Sequence, residues 1–373
     1  MASFLPLKMD QQTFRNINQI LSRDNKSSTY KFALLRGTID LIEDNSPFII
    51  VKGDRVHFPL GLLVEKWLLY YYPLVNVPQI NQATQLAFTG PLLAVVDFYK
   101  LRGGFSAFYN DLKNKSIPVE IQQSFLDLVN KLAKTITLMP MKYTGTSIYG
   151  RFYGIYQFER GRSQKSNIID AEYLVRNFGT FSIPLEYYEA FQVLGSFLSG
   201  HDAILFKWAE FSVQASGQTL TVTQVLNEVL RSPVTQRDIL ESKELYRSIL
   251  RKDGNVRCVW SGDRLTRYDI DHIIPFTIWK NNDLWNLLPA RPDLNNKKRD
   301  KIPSPLLIDN QRELITHYWD IIHQHKTQRF QKELQVALLG YEQTNSWHEP
   351  AIAQLKKSCD NLISTRGYEA WNN

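Results

Sequence analysis

The chain has 373 residues, 43% of them hydrophobic, and a formal net charge of +7. That length exceeds what a single core usually serves, and the apolar content excludes a disordered chain. The positive balance favours an anionic partner, and two cysteines exclude a disulfide framework and suit a reducing, cytoplasmic setting.

The N-terminal Met1 to Lys8 stretch has neither a basic leader nor a continuous apolar run, so no secretory signal is expected. Helices are predicted over 10–22 and 28–44, the second with Ser27 or Ser28 as its cap and Phe32, Leu34, Leu35, Ile39 and Ile42 on its apolar side. A short hairpin follows, Phe48–Val51 against Arg55–Phe58 around Gly53-Asp54. Further helices are predicted at 60–72, at 89–101 after the Pro78 region, at 104–113 and from Pro118 to about 136. Glu65 and Lys66 interrupt the most apolar stretch, Leu60 to Val75, which predicts a core helix rather than a membrane span. Tyr70-Tyr71-Tyr72 in that helix reads as core. An aromatic-rich strand is predicted over Ile148–Phe158, followed by an exposed basic loop carrying Arg160, Arg162 and Lys165. A strand at 181–183 leads into helices at 184–198, 201–215, 221–231 and 235–252, and the C-terminus reads as helical over 309–340 and 348–366.

Between Cys258 and Asp300 the composition changes. Asp269-Ile270-Asp271-His272 puts a carboxylate beside a histidine, followed by Asn286-Leu287 and then by Asn295-Asn296-Lys297-Lys298-Arg299-Asp300. Asp271 is a hard oxygen donor for a divalent cation, and His272 is a base that ordinarily titrates near neutrality. Strand alternation would send these two to opposite faces, so a tight bend is expected to bring both to one phosphate. Arg251 to Lys301 holds eleven Lys and Arg against seven acids, more than half of the whole excess charge. Such a surface suits a polyanion.

This segment resembles the HNH nucleases, whose pattern runs Asp-x-Asp-His, Asn-Leu, then Asn-x-x-Lys-x-Asp. The resemblance covers about fifty residues from Arg257 to roughly Pro305. It implies a ββα fold around one Mg²⁺ or Mn²⁺ held by Asp271 and Asn295, with His272 as general base. Asn286 would fix the loop that orients the histidine. Lys297, Lys298, Arg299 and Lys301 would hold phosphates, Asp269 would support the strand, and Asp300 would tie the helix to the hairpin. Many relatives add two Cys-x-x-Cys pairs around a zinc ion. Here the four positions read Cys258, Ser261, Arg291 and Leu294, so no structural zinc is expected and Cys258 reads as a buried side chain.

The expected class is therefore α+β and mostly helical. A helical domain over 1–140 with one hairpin would select the target or bind a partner, and 141–250 would be a mixed middle region. An HNH module over 251–306 and packing helices over 307–373 complete the plan. The implied function is a metal-dependent endonuclease in restriction or anti-phage defence, acting on nucleic acid, DNA before RNA, with a protein partner or sensor and no membrane. The competing reading is a nucleic-acid-binding or assembly subunit that keeps the HNH fold without catalysis.

Overall fold

The computed structural model describes residues 11–23, 29–75, 86–161, 166–196, 198–230, 233–234, 236–254, 256–341 and 346–372. The expected caps Ser27 and Ser28, the Pro78 region, and Arg162 and Lys165 lie outside them. The chain divides into two compact units, Met1–Asp44 with Phe48–Pro233, and Asn45–Pro47 with Val234–Asn373.

In the first unit, α1 (Gln11–Arg23) and α2 (Tyr30–Glu43) precede the hairpin of β1 (Ile50–Lys52) and β2 (Arg55–Pro59). Helix α3 (Leu60–Val75) follows directly and is buried on every side, as its nearly continuous apolar sequence requires. Its tyrosines are core, as read from the sequence. Tyr70 donates to Asp40 beneath the Arg36 guanidinium, the Tyr71 hydroxyl lies 2.8 Å from Thr29 Oγ1, and Tyr72 stacks on Phe105 at 4.8 Å and Phe108 at 5.0 Å. Helices α4 (Thr89–Lys100), α5 (Gly104–Asn114) and α6 (Val119–Leu138) bury Val95, Phe108, Phe125 and Leu132 against this core. Two four-residue helical turns come next, α7 (Pro140–Tyr143) and α8 (Thr146–Tyr149).

The strand expected over 148–158 is found only at its end, as β3 (Gln157–Glu159). Gly145, Gly150 and Tyr153 stand at φ of 89°, 61° and 54°, so the backbone turns where extended chain was expected. Helix α9 (Ala171–Asn177), which the hydrophobic pattern did not announce, is capped by Asp170, whose carboxylate accepts the Tyr173 N–H at 2.8 Å. It crosses α3 so closely that a Cβ on Gly61 would meet the Leu174 carbonyl oxygen at 1.8 Å; only glycine fits there. Strand β4 (Thr180–Pro184) then completes an antiparallel sheet in the order β1-β2-β4-β3, with Phe58 paired to Phe181 and their rings stacked at 4.9 Å. This pairing joins chain on both sides of residue 140, so the regions expected to be separate share one core. Helices α10 (Leu185–Ser196), α11 (Leu198–Ala215) and α12 (Val222–Val229) close the unit.

In the second unit the helix expected from 235 starts only at Leu240, as α13 (Leu240–Asp253), and 236–239 are not helical. A two-residue ladder, β5 (Val256–Arg257) with β6 (Arg264–Leu265), leads to β7 (Asp269–His272). After a helical turn, α14 (Phe276–Trp279), strand β8 (Leu287–Ala290) pairs antiparallel with β7 and α15 (Pro292–Lys298) follows: a ββα unit. Beyond β9 (Ile302–Pro303), the helix expected over 309–340 is three helices and a π turn. They are α16 (Pro305–Asn310) with Ser304 as cap, α17 (Arg312–His325), α18 (Thr327–Leu334) and the π turn Gln335–Leu339. Helix α19 (His348–Asp360) and β10 (Ala370–Trp371), parallel to β9, end the chain. The core runs through Trp260, Ile274, Trp285, Leu288, Trp319, Ile352 and Cys359.

A zinc site does not fit the positions where relatives carry cysteines; other bonds close the same turn. Cys258 is buried, and its Sγ accepts the Arg291 N–H at 3.3 Å. Ser261 Oγ donates to Asp263 Oδ2 at 2.8 Å, and the Arg291 guanidinium reaches the same oxygen at 2.6 Å. The knuckle is thus cross-linked by hydrogen bonds and a buried thiol. Chelator treatment should leave its thermal unfolding nearly unchanged, because no metal-binding free energy is coupled to folding. A melting temperature that falls on chelation, or stoichiometric zinc in purified protein, would show a structural metal held elsewhere.

Candidate active site

Strand β7 carries the carboxylates and the histidine, and its pairing with β8 stays regular through Asp271↔Leu288 and His272↔Leu287. The ladder itself is straight, and bends fall at Ile273 and Ile274, directly after the histidine. Asp269 and Asp271 meet α15 through Asn295 and Lys298, and Arg237, which meets the His272 ring, also acts electrostatically on Asp271 and Lys298.

Asp271 is 3% exposed. Its Oδ2 accepts the Trp260 indole N–H at 2.6 Å, and its Oδ1 accepts from Lys298 Nζ at 3.0 Å. Lys298 is fully buried, and its ammonium also donates to the His272 carbonyl oxygen at 2.5 Å. Burial pushes Asp271 upward and Lys298 downward from their ordinary ranges, each against the attraction of the other. Lys298 was expected at the surface with the phosphate-binding cations. It points inward because a helix turns about 100° per residue, so a run of basic residues cannot share one face. Lys297 and Arg299, on either side, are exposed; Lys301 pairs with Glu369 at 2.5 Å. Asn295, one turn before Lys298, is half-buried and donates weakly to Asp269 Oδ2 at 3.4 Å. Asp300 is exposed just past α15.

His272 is 1% exposed, yet both ring nitrogens have partners. Nδ1 lies 3.1 Å from the Arg237 guanidinium, and Nε2 lies 3.4 Å from Asn282 Oδ1. Arginine only donates, so Nδ1 must hold its lone pair and the ring proton sits on Nε2, toward the amide oxygen. Burial first, then the Arg237 charge, push this histidine down to about 4, which keeps it neutral at physiological pH. Asn286 is fully buried and acts on the loop. Its Oδ1 accepts the Ile274 N–H at 2.8 Å, and its Nδ2 donates to the Ile274 carbonyl at 2.9 Å and to Asn281 Oδ1 at 3.1 Å. It is a positioning residue. The same loop is held from α18, where Glu333 accepts the Leu284 N–H at 2.6 Å and Arg329 donates to the Asn282 carbonyl at 3.3 Å.

Three members of this site were not singled out in the sequence. Trp260 is buried as apolar filling and also donates its indole N–H to Asp271. Asn282 stands in Asn281-Asn282-Asp283, whose only signal is turn composition. Arg237 lies 35 residues before His272 and carries no motif.

A ββα hairpin bearing these groups is the framework of a nuclease module, and a family model for HNH endonucleases matches residues 260–304. That span runs from Trp260 through β7, Asn286 and the Asn295–Lys298 turn. A second model, a domain of unknown function (DUF8808), matches residues 10–229, more than half of the chain, so the chain belongs to that family. No solved structure matches it.

The donor chemistry suits a hard cation that keeps most of its waters, since Asp269, Asp271 and Asn295 offer oxygens from one face. The described residues contain no group of three or more His, Cys, Asp or Glu placed to hold a metal. The Asp271 charge is balanced instead by Lys298. Replacing Lys298 by methionine should therefore strand a buried carboxylate and lower stability by about 3–5 kcal/mol. Denaturant unfolding measures this directly; a variant as stable as the parent would mean that Lys298 is free to face solvent.

Proposed function

We propose that the chain is a metal-dependent HNH endonuclease that hydrolyses phosphodiester bonds in nucleic acid, DNA before RNA. In this reading the DUF8808 region selects the target or holds a partner, and the biological setting is restriction or anti-phage defence. The observation that carries it is the state of His272: neutral, buried, and with its Nδ1 lone pair aimed at an arginine.

A guanidinium is the side chain best shaped to clamp a phosphate. A scissile phosphate arriving at Arg237 would draw the guanidinium onto its oxygens and uncover Nδ1. His272 would then take the proton of a water attacking the phosphorus in line with the 3′ oxygen, leaving 5′-phosphate and 3′-hydroxyl ends. Asn282 fixes the tautomer through Nε2, and Asn286 keeps the following loop from carrying the ring away. Asp271 and Asn295 would hold Mg²⁺ or Mn²⁺, with Asp269 alongside. Such an ion, when bound, supplies positive charge for the leaving and non-bridging oxygens. Lys297, Arg299 and Lys301 are the cations for neighbouring phosphates.

One observation favours the second reading, a binding subunit that keeps the fold. Both Asp271 oxygens and both His272 nitrogens are already partnered within the chain.

Cleavage of plasmid, single-stranded DNA and RNA by purified protein, with and without Mg²⁺, separates the two. His272→Ala should lower the rate roughly 10²–10⁴-fold while folding and binding persist. Arg237→Ala should slow the chemical step about 10²-fold, the usual loss of one transition-state donor. It would instead raise activity if Arg237 merely blocked the base. Asn295→Ala should shift the Mg²⁺ requirement upward. A parent protein inert on every substrate and metal leaves the binding reading standing.

A further inference from the structure

Outside the HNH module, one surface of the first unit combines exposed rings with clustered positive charge. Between Asp127 and Glu159 the sequence holds Lys131, Lys134, Lys142 and Arg151 and no acid. Lys131, Lys134 and Leu138 are all exposed, and their spacings of three and four residues put them on one face of α6. That face runs into α7 and the turn after α8, where Tyr143 is 42% and Phe152 56% exposed. The two rings meet edge-on at 5.1 Å, and Lys142 Nζ lies 4.6 Å from the Phe152 centroid and 5.3 Å from that of Tyr143.

This display is held in place by the fold. Tyr153, next to Phe152, takes a left-handed backbone at φ 54°, unusual for an aromatic residue. Two bonds secure it: its N–H donates to the Lys142 carbonyl at 2.9 Å and its hydroxyl to the Thr137 carbonyl at 3.2 Å. Ile155 and Tyr156 anchor the segment from below, fully buried, while the Tyr149 hydroxyl lies 2.8 Å from that of Tyr187. Outward-facing Arg151 and Phe152 are the result. Large rings are ordinarily covered; here the turn holds them out beside cations.

We propose that this face, centred on Tyr143 and Phe152, is a platform for unpaired nucleic acid. Exposed rings offer stacking surfaces to bases that are free of a duplex, and Lys134, Lys142 and Arg151 meet the phosphates between them. Lys131, Lys134, Lys142 and Arg151 outnumber the one exposed acid on this stripe, Asp127 at its far end, which fits a polyanion. The proposal deepens the nuclease reading and rests on it for the nature of the ligand. It makes the DUF8808 region the part that holds strands.

The test uses the full chain carrying His272→Ala, so that probes survive. Anisotropy is measured with about 20-nucleotide oligo-dT, oligo-U and a duplex of equal length, at several salt concentrations. Tyr143→Ala and Phe152→Ala should each weaken single-strand binding at least about 5-fold, and duplex binding less. Phe152→Tyr, which keeps a stacking ring, should bind like the parent. Lys142→Gln with Arg151→Gln should reduce the salt dependence by about two phosphates' worth. The dT and U probes decide whether DNA or RNA is the ligand. Both alanine variants binding either strand as tightly as the parent would overturn the proposal. So would loss of self-association in Phe152→Ala at unchanged oligonucleotide affinity, which assigns the face to a protein contact. Failure of the parent chain to cleave anything, with ring-dependent strand binding intact, would sink the nuclease reading alone.

Discussion

The ammonium of Lys298, enclosed between the Asp271 carboxylate and the His272 carbonyl, is the constraint on which the ββα module depends. A charge out of water is costly, and this one is offset by hydrogen bonds to a carboxylate and a carbonyl and by the Trp260 ring 5.7 Å away. The Trp260 indole N–H completes the Asp271 end. One side chain thereby fixes helix α15 against strand β7. It sets Asn295 one turn away over Asp269, and it leaves Lys297 and Arg299 facing outward as the surface cations.

Next along the same strand, His272 is held by groups from two separate stretches. Arg237 precedes α13, Asn282 lies in the loop before β8, and Asn286 pins Ile274. That loop in turn hangs from Arg329 and Glu333 of α18. The C-terminal helices are thus a buttress for the histidine's surroundings as well as a cover for the apolar hairpin. Losing Glu333 would leave a buried Leu284 N–H without its acceptor and free the loop that sets the histidine's tautomer.

The motif spacing made the nuclease module legible because its chemistry needs fixed residue types at fixed distances. Helices with a strong apolar stripe, such as α6, were equally plain. The turn at 145–156 was not. Tyr149, Phe152, Tyr153 and Tyr156 have the composition of a strand, while three left-handed positions, two of them glycines, decide otherwise. Helix α9 was hidden because its seven residues are too few for periodicity to show; only the Asp170 cap announces it. Within the site, Asp271, His272 and Asn295 stand out in the sequence, but the partners the structure gives them do not. Arg237 and Trp260 act through one nitrogen each, and nothing in local sequence tells which nitrogen will be buried against what. The direction of Lys298 was misread because composition reports charge and not helical phase.

Cysteine stands at one of the four positions Cys258, Ser261, Arg291 and Leu294, so the hairpin and helix are held by other contacts. Here the knuckle has only the Ser261–Asp263–Arg291 bridge at its rim and the Cys258 thiol beneath it. Exposed pairs of that kind contribute little, since water competes for both partners. The interior cross-link between hairpin and helix is the buried pair Asp271–Lys298. A residue that holds the fold in this way cannot be reassigned to a cation without Lys298 yielding part of its coordination. On the proposed function, stability and metal binding would compete for the same two carboxylate oxygens.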